Sequence, residues 1–331
     1  GRLSVGVIGA VALGKLGIPE SHPDKCVDIK FSEPLASIQE LRWLREKCDV
    51  VVLLSHLGYS TDVEFSKELP WVDIIVGGHS HTQLKGGETH NGVFITQNTN
   101  RLKRATHSTL ILEDGKVVKR MAENIEIRGQ KNVNKVVAAL VQHFSDNPAF
   151  KRVLAQVDTP FENYEELGSM MCDALVAEGK CDVSFQNAGG VRYETHDVGG
   201  FTVSDVLRLD PFQNEAVELQ LTGKELADML MKCYENDGHS FPYVGGMKAE
   251  FTVDPATKAI KKLELLDMNG KKLNPKKTYK VMTNSYSAAI CPTNRKDAGR
   301  GIGRITAELV IDYLQHQGHV SYQGVNRLTQ K

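Results

Sequence analysis

Residues 50–56, VVVLLSH, and residues 74–81, IIVGGHSH, decide how this chain reads. Each is a short apolar run with histidine at its C-terminal end, and the stretch between them is long enough for one helix. Near-continuous apolar runs predict parallel strands covered on both faces, and open α/β sheets hold ligands beyond the carboxyl ends of such strands. His56, His79 and His81 are therefore expected at one edge. Neutral imidazole is the commonest side-chain metal ligand, and paired glycines let a tight turn pass close to an ion with no β-carbon in the way. A lone histidine such as His56 is more often an ordinary hydrogen-bonded residue, so the Gly-Gly-His-Ser-His string carries more weight. Alternate residues of an extended segment point opposite ways. His79 and His81 should then reach two different ions, or only one of them should ligate.

Outward from this pair, residues 3–10 read as a short strand and residues 14–25 as a loop rich in glycine and proline. Leu35, Ile38, Leu41 and Leu44, three apart, predict one helix before the first histidine strand, and residues 63–69 predict another before the second. After His81 the pattern alternates, and Asp114-Gly115 marks a two-residue hairpin, which suggests an antiparallel finish to the sheet. Residues 131–147, KNVNKVVAALVQHFSDN, carry a helical apolar stripe ended by Asn147-Pro148. This stretch is the best boundary, which gives a first domain over residues 1–128, a connecting helix over 129–150 and a second domain over 151–331. The second domain opens with a helix over 166–178. A strand and a glycine turn follow, and residues 305–318, ITAELVIDYLQHQG, close it as an amphipathic helix.

At 331 residues, 41% hydrophobic and 24% charged, the composition is that of a globular protein. A formal net charge of −1 gives no reason to expect a nucleic acid polymer as partner. No apolar run reaches the length of a transmembrane helix, and the first residues lack the layout of a signal peptide. The six cysteines are scattered with no Cys-x-x-Cys pair, so neither structural zinc nor a redox motif is indicated, and their pairing stays open.

The strand-SHLG and strand-GGHSH pair resembles the last two metal-ligand motifs of the calcineurin-like metallophosphoesterases, as they occur in the 5'-nucleotidase family. The resemblance implies that His56 and His79 ligate one divalent ion and His81 another. The two ions, zinc, manganese or similar, would polarise phosphoryl oxygens and generate hydroxide for in-line attack. Relatives carry their first ligands on Asp-x-His, Gly-x-x-x-Asp and Gly-Asn-His-Glu motifs ahead of these strands, and none of the three occurs before Val50. The expected fold of the first part is therefore α/β, a partial metallophosphoesterase sandwich whose N-terminal half is missing, with no catalytic residue in this chain.

In the second part, Asn187-Ala-Gly189-Gly-Val-Arg192 follows a strand directly. Taken alone it is a tight turn with a solvated arginine. It also resembles the NxGG(V/I)R signature of the 5'-nucleotidase C-terminal domain, an α+β substrate-binding domain. Further resemblances follow in the family's order: Leu167-Gly168 with Cys172-Asp173-Ala174, Asp210-Pro211-Phe212 with Leu221-Thr222-Gly223, Gly245-Gly246-Met247, and Thr283-Asn284-Ser285-Tyr286. They imply that Asn187, Gly189 and Arg192 bind substrate and that Phe212 and Tyr286 sandwich a base, although Phe212 alone would pass for core. Two departures stand out. PFENYEE (160–166) lacks the basic residue many relatives place there, and no Gly-Gly-Asp-Gly follows Tyr286, which leaves Asp297 as the stand-in for a ribose-binding aspartate.

The resemblance implies metal-dependent hydrolysis of nucleotide phosphate esters, with a nucleotide or nucleoside as substrate, in a periplasmic, cell-surface or secreted setting. This chain alone would be inactive. Two alternatives accompany that reading. The chain could be a nucleotide-binding module or the complementing half of a separately made partner, or the hydrolase could act on UDP-sugars or cyclic nucleotides.

Overall fold

Gly58, with φ +94°, precedes a helix that starts at Tyr59 rather than at residue 63, and a turn over residues 66–68 leads on toward the second histidine strand. This is one of several places where the computed structural model, which describes residues 2–14, 16–291 and 293–331, moves an expected boundary. Two compact units result: Gly1–Ser21 with Cys26–Ala138, and His22–Lys25 with Ala139–Lys331.

In chain order the first unit holds β1 (Val5–Val11), α1 (Pro34–Gln39), α2 (Leu44–Lys47), β2 (Val50–His56), α3 (Tyr59–Phe65), β3 (Ile74–Val76), β4 (Glu88–His90), β5 (Val93–Thr96), β6 (Arg104–Glu113), β7 (Lys116–Glu126) and the first residues of α4 (Lys135–Ser145). The single helix expected over residues 35–44 is two short ones joined by i→i−3 turns, Leu41 to Ile38 and Leu44 to Leu41. Strand order is β1-β2-β3-β5-β4, parallel except for β4, and β6–β7 form a separate antiparallel ribbon. Asp114 and Gly115 both take positive φ, 48° and 72°, as the hairpin turn requires.

The pleat sorts β1 and β2 into two unlike faces. Ile8, Leu53 and Ile75 point into a core completed by Ile38, Leu69 and Trp71. Val5, Val7, Leu54 and Val76, on the other face, remain 53%, 57%, 49% and 39% exposed. Cover on both faces was the expectation from the apolar runs; among the described residues this second face is buried at Val50, Ile74 and Phe94 and open at Val5, Val7, Leu54 and Val76. Ser55 points toward the covered face and His56 toward the open one.

The second unit continues with α5 (Pro148–Lys151), β8 (Val153–Val157), α6 (Tyr164–Gly179), β9 (Val183–Gln186), β10 (Gly199–Thr202), α7 (Val203–Leu209), β11 (Glu215–Thr222), α8 (Gly223–Asn236), β12 (Tyr243–Gly245), β13 (Met247–Val253), β14 (Ile260–Asp267), β15 (Thr278–Asn284), α9 (Ser285–Ile290), β16 (Arg300–Ile305), α10 (Thr306–Gln317), β17 (His319–Val320) and β18 (Leu328–Gln330). Its central sheet is mixed, β12-β9-β15-β11-β16, flanked by the smaller sheets β10-β8-β17 and β14-β13-β18. Alternation in β11 again assigns the layers. Val217, Leu219 and Leu221 pack under Leu226, Met229 and Leu230 of α8, while Ala216 meets Leu175 of α6 and Leu309 of α10.

Thr222 and Glu225 start α8 with a reciprocal capping box, the threonine hydroxyl accepting from the Glu225 amide and the glutamate accepting from the Thr222 amide. Gly168 lets α6 lie against β12, since a β-carbon there would come within 2.3 Å of the Tyr243 ring. The division between units falls after Ala138, inside α4, whose apolar stripe (Val136, Leu140, Phe144) is exposed.

The C-terminal strand is fastened by a bidentate pair: Arg327 donates from Nη1 and Nη2 to the two oxygens of Asp173, both at 2.7 Å, and also reaches the Val244 carbonyl. Removing one partner leaves a buried charge uncompensated, a loss of about 3–5 kcal/mol. Asp173→Ala should therefore lower unfolding free energy in urea by roughly 3 kcal/mol, while removal of the exposed Lys224–Asp228 pair should cost about 0.5 kcal/mol or less.

Candidate functional site

At the end of β2 the parallel register Leu54↔Val76 brings His56 beside the Gly77-Gly78 turn. The rings of His56 and His79 lie edge to face with centroids 5.1 Å apart. A side chain at Gly78 would come within 3.1 Å of the His56 ring, and one at Gly77 within 2.6 Å of the Asp62 carboxylate and 2.9 Å of the Gln97 amide. Glycine is thus required at position 77 and favoured at 78 by what crowds the turn.

The segment after it is not extended. His79 and His81 both adopt left-handed backbone, φ 70° and 54°. Alternation therefore does not apply, yet the two rings do meet different neighbours, His79 beside His56 and His81 Nδ1 3.4 Å from the Asn100 amide nitrogen. A left-handed non-glycine residue costs about 1 kcal/mol or more and persists only where its surroundings over-determine it. Ser80 supplies that constraint. Its hydroxyl accepts from the Tyr59 amide at 3.0 Å, donates to Gln97 Oε1 at 2.7 Å and lies 3.0 Å from the Thr82 hydroxyl. Gln97 Oε1 also accepts from the Thr82 amide, so one buried side chain holds both ends of the His-Ser-His corner.

Neighbouring imidazoles are a donor pair of the kind that a divalent ion takes, with bonds of about 2.0–2.1 Å to each nitrogen. Among the described residues, no group of three or more histidine, cysteine or acidic side chains converges.

In the second unit β9 delivers Asn187 to the start of the glycine turn. Its Oδ1 accepts from Asn284 at 2.9 Å and from the Ser287 hydroxyl at 3.4 Å, and Asn284 also donates to Gln186. With its oxygen engaged, the Asn187 amide nitrogen turns toward Gly189, 3.6 Å from where a β-carbon would stand. Arg192 donates to the Gly189 carbonyl at 3.2 Å, and its guanidinium lies 5.4 Å from the centroid of the Phe212 ring. Phe212 is 39% exposed, which is not a core residue's environment. Tyr286 sits in the first turn of α9, next to the Ser287 that contacts Asn187.

Asp297 is held elsewhere. Both of its oxygens accept from backbone amides, Gln220 at 2.6 Å and Gly299 at 2.9 Å, at the β11 edge. The carboxylate at the turn is Asp237, which accepts from the Gly189 amide at 2.9 Å.

Residues 144–290 match the family described as 5'-nucleotidase, C-terminal domain. They form a 5'-nucleotidase C-terminal domain. The chain is 25% identical over 315 residues to the trifunctional nucleotide phosphoesterase protein YfkN of Bacillus subtilis, an alignment covering 83% of this chain and 21% of that protein. It is 24% identical to the protein UshA of Yersinia enterocolitica, covering 86% of this chain and 62% of UshA. It thus spans less than two thirds of either. In fold, 98% of the chain superposes on 72% of the 5'-nucleotidase precursor of Thermus thermophilus, with TM-score 0.82 and 23% identity.

Within the 5'-nucleotidase C-terminal domain, sequence reasoning missed Asp237 because Asp-Gly after a helix reads as an ordinary turn. It missed the Cys233–Cys291 disulfide because cysteines 58 residues apart announce nothing about their pairing. In the first unit it missed Ser80, Gln97 and Asp62. Ser80 lies between the two histidines of GGHSH, which drew the reading to themselves.

Asp62 is fully buried on α3, accepts from the Ser55 hydroxyl, and is pushed up to about 6 by burial, which that hydrogen bond opposes. The folded state therefore keeps a proton that the unfolded chain releases near pH 4, and the associated stability is full below that pH and lost as pH rises through 6. Urea unfolding should show the difference between the natural protein and Asp62→Asn shifting by about 2 kcal/mol from pH 4.5 to 7.5, with the natural protein losing ground. A difference that does not change with pH would mean that the carboxyl is ionised throughout.

Proposed function

We propose that this chain is part of a metal-dependent phosphoesterase of the 5'-nucleotidase type, in which the second unit binds the nucleoside portion of a nucleotide and the strand ends of the first contribute ligands to a divalent metal centre. The observation that carries the reading is the NAGGVR turn in a matched C-terminal domain, where an oriented amide, a guanidinium and a half-exposed phenylalanine sit together. Asn187 would meet a base or sugar edge with its amide nitrogen. Arg192 would offer its fork of donors to phosphate or sugar oxygens, and Phe212 with Tyr286 would stack on the base. Asp237 is favoured over Asp297 as an acceptor for ribose hydroxyls, since it borders the same turn.

In the first unit His56 and His79 would share one ion and His81 would serve another. Zinc or manganese, when bound, supplies Lewis acidity toward phosphoryl oxygens. The chain's own contribution is to hold neutral imidazoles in place, and the Ser80–Gln97 pin does this without any titrating group. A periplasmic, cell-surface or secreted location is supported by the Cys233–Cys291 disulfide, because such bonds persist in oxidising compartments.

A second reading, that these residues act only as a nucleotide-binding module or as one half of a complemented pair, is favoured by the lack of a three-ligand cluster among the described residues. Phosphate release tests what the two readings share, that these residues hold too few ligands for turnover. Purified 331-residue chain with added manganese or zinc should release negligible phosphate from AMP and yet bind adenosine. Substantial release by this chain alone would remove the need for further ligands.

Replacing Phe212 or Tyr286 by alanine should weaken adenosine binding in calorimetry by about 1–3 kcal/mol each, the range for base–aromatic stacking. Unchanged binding in both variants would return these rings to structural duty.

A further inference from the structure

The disulfide Cys233–Cys291 joins the last turn of α8 to the residue that caps α9, and both sulfurs are buried. Neither cysteine belongs to the glycine turn, yet each end of the bridge leads directly to it. On the α8 side, the Cys233 carbonyl accepts from the Asp237 amide at 2.9 Å, and the Asp237 side chain in turn accepts from the Gly189 amide. On the α9 side, the Cys291 amide donates to the Ser287 carbonyl at 3.1 Å, and the Ser287 hydroxyl reaches Asn187. The connections close a ring: Gly189, Asp237, Cys233, Cys291, Ser287, Asn187.

Tyr286 rides on that ring. Its helix, α9, has six residues, too few to fix an orientation by its own hydrogen bonds. The N-terminal end of α9 continues from β15 through Asn284, whose side chain accepts from the Ser287 amide at 2.6 Å, and three further ties hold its C-terminal end. The bridge is one tie, the Asn236 amide donating to the Ile290 carbonyl at 2.5 Å is a second, and Arg295 donating to the Ala288 and Cys291 carbonyls is a third.

We propose that Cys233–Cys291 is a positioning crosslink that sets where Tyr286 stands relative to the Asp237–Gly189 side of the turn, so that its loss weakens nucleoside binding as well as stability. The proposal rests on the reading of this turn as a nucleoside site. A bridge that served stability alone could lie anywhere in the unit. This one spans the two short segments that carry opposite sides of one turn, and burial places it beyond ready reach of reductants, which makes it a fixed tie and not a switch.

The test uses two double variants of the full chain, Cys233→Ser with Cys291→Ser, and Cys233→Ala with Cys291→Val, the second refilling the lost volume. Melting temperature and adenosine affinity are measured for each, binding well below its own melting point. Both variants should melt lower, and adenosine Kd should rise about tenfold. Adding Tyr286→Ala to either should cost little more, because the stacking contact is already lost; that coupling is one a remote staple does not produce. Asn236→Ala, which keeps the bridge and removes only the second tie, should raise Kd severalfold and covers the case in which neither double variant folds. A lower melting temperature with Kd within twofold of the natural protein, or an undiminished effect of Tyr286→Ala, would overturn the proposal. Failure of the unaltered chain to bind adenosine would instead overturn the nucleoside reading and the proposal with it.

Discussion

The parallel register of β2 and β3 is the constraint on which the first unit depends. It ends two strands at one level, so the last residue of β2 and the turn after β3 must share a small volume. Gly77 has buried polar atoms 2.6 and 2.9 Å from where a β-carbon would stand, which leaves no room for one, and a β-carbon at Gly78 would press on the His56 ring at 3.1 Å. Once the turn is that tight, the chain leaves it in left-handed backbone at His79 and again at His81, and something must hold the intervening residue. Ser80 and Gln97 do so with neutral hydrogen bonds. A pin made of carboxylate would compete with the histidines for any cation; an amide and a hydroxyl do not.

The second unit solves a similar problem with other means. Here the glycine turn follows a central strand, and its orientation is set from beneath by three amide side chains in series, Gln186, Asn284 and Asn187, all buried. Buried amides have strict donor and acceptor ends, so fixing one fixes the next. Because the Asn187 oxygen is occupied, its nitrogen must face the turn. The chemistry presented there is therefore decided by residues that would never touch a ligand.

How much of this was legible follows from which forces act locally. The histidine strands, the Asp114-Gly115 hairpin, the glycine turn after β9 and the closing helix ended by Gly318 were readable because periodicity and turn chemistry sit in consecutive residues. The order of motifs from Leu167 to Tyr286 pointed to the second unit's family. What could not be read depends on residues far apart in sequence. Asp62 lies opposite Ser55, Gln97 beneath Ser80, Asp237 against Gly189 and Cys233 on Cys291, and no local pattern marks any of these partners. How far the second face of β1 and β2 is covered was not legible, for a related reason. Hydrophobic runs record what a strand can bury and are silent on what lies across from it.

Asp237 and Asp297 show why carrying a role from motif to motif needs a structure. Asp297 lies a few residues past Tyr286, where relatives keep an aspartate, so position in sequence favours it. Its two oxygens, however, are both spent on the backbone of the β11 edge, with the Gln220 amide at 2.6 Å, and a carboxylate already accepting two amide protons gains less from a hydroxyl. Asp237 belongs to a different segment, the end of α8, which is tied to α9 by a disulfide and by Asn236. In the reading proposed above, the acidic side of the turn falls to Asp237, whose carboxylate accepts from the Gly189 amide of the turn itself, while Asp297 accepts from the Gln220 and Gly299 amides.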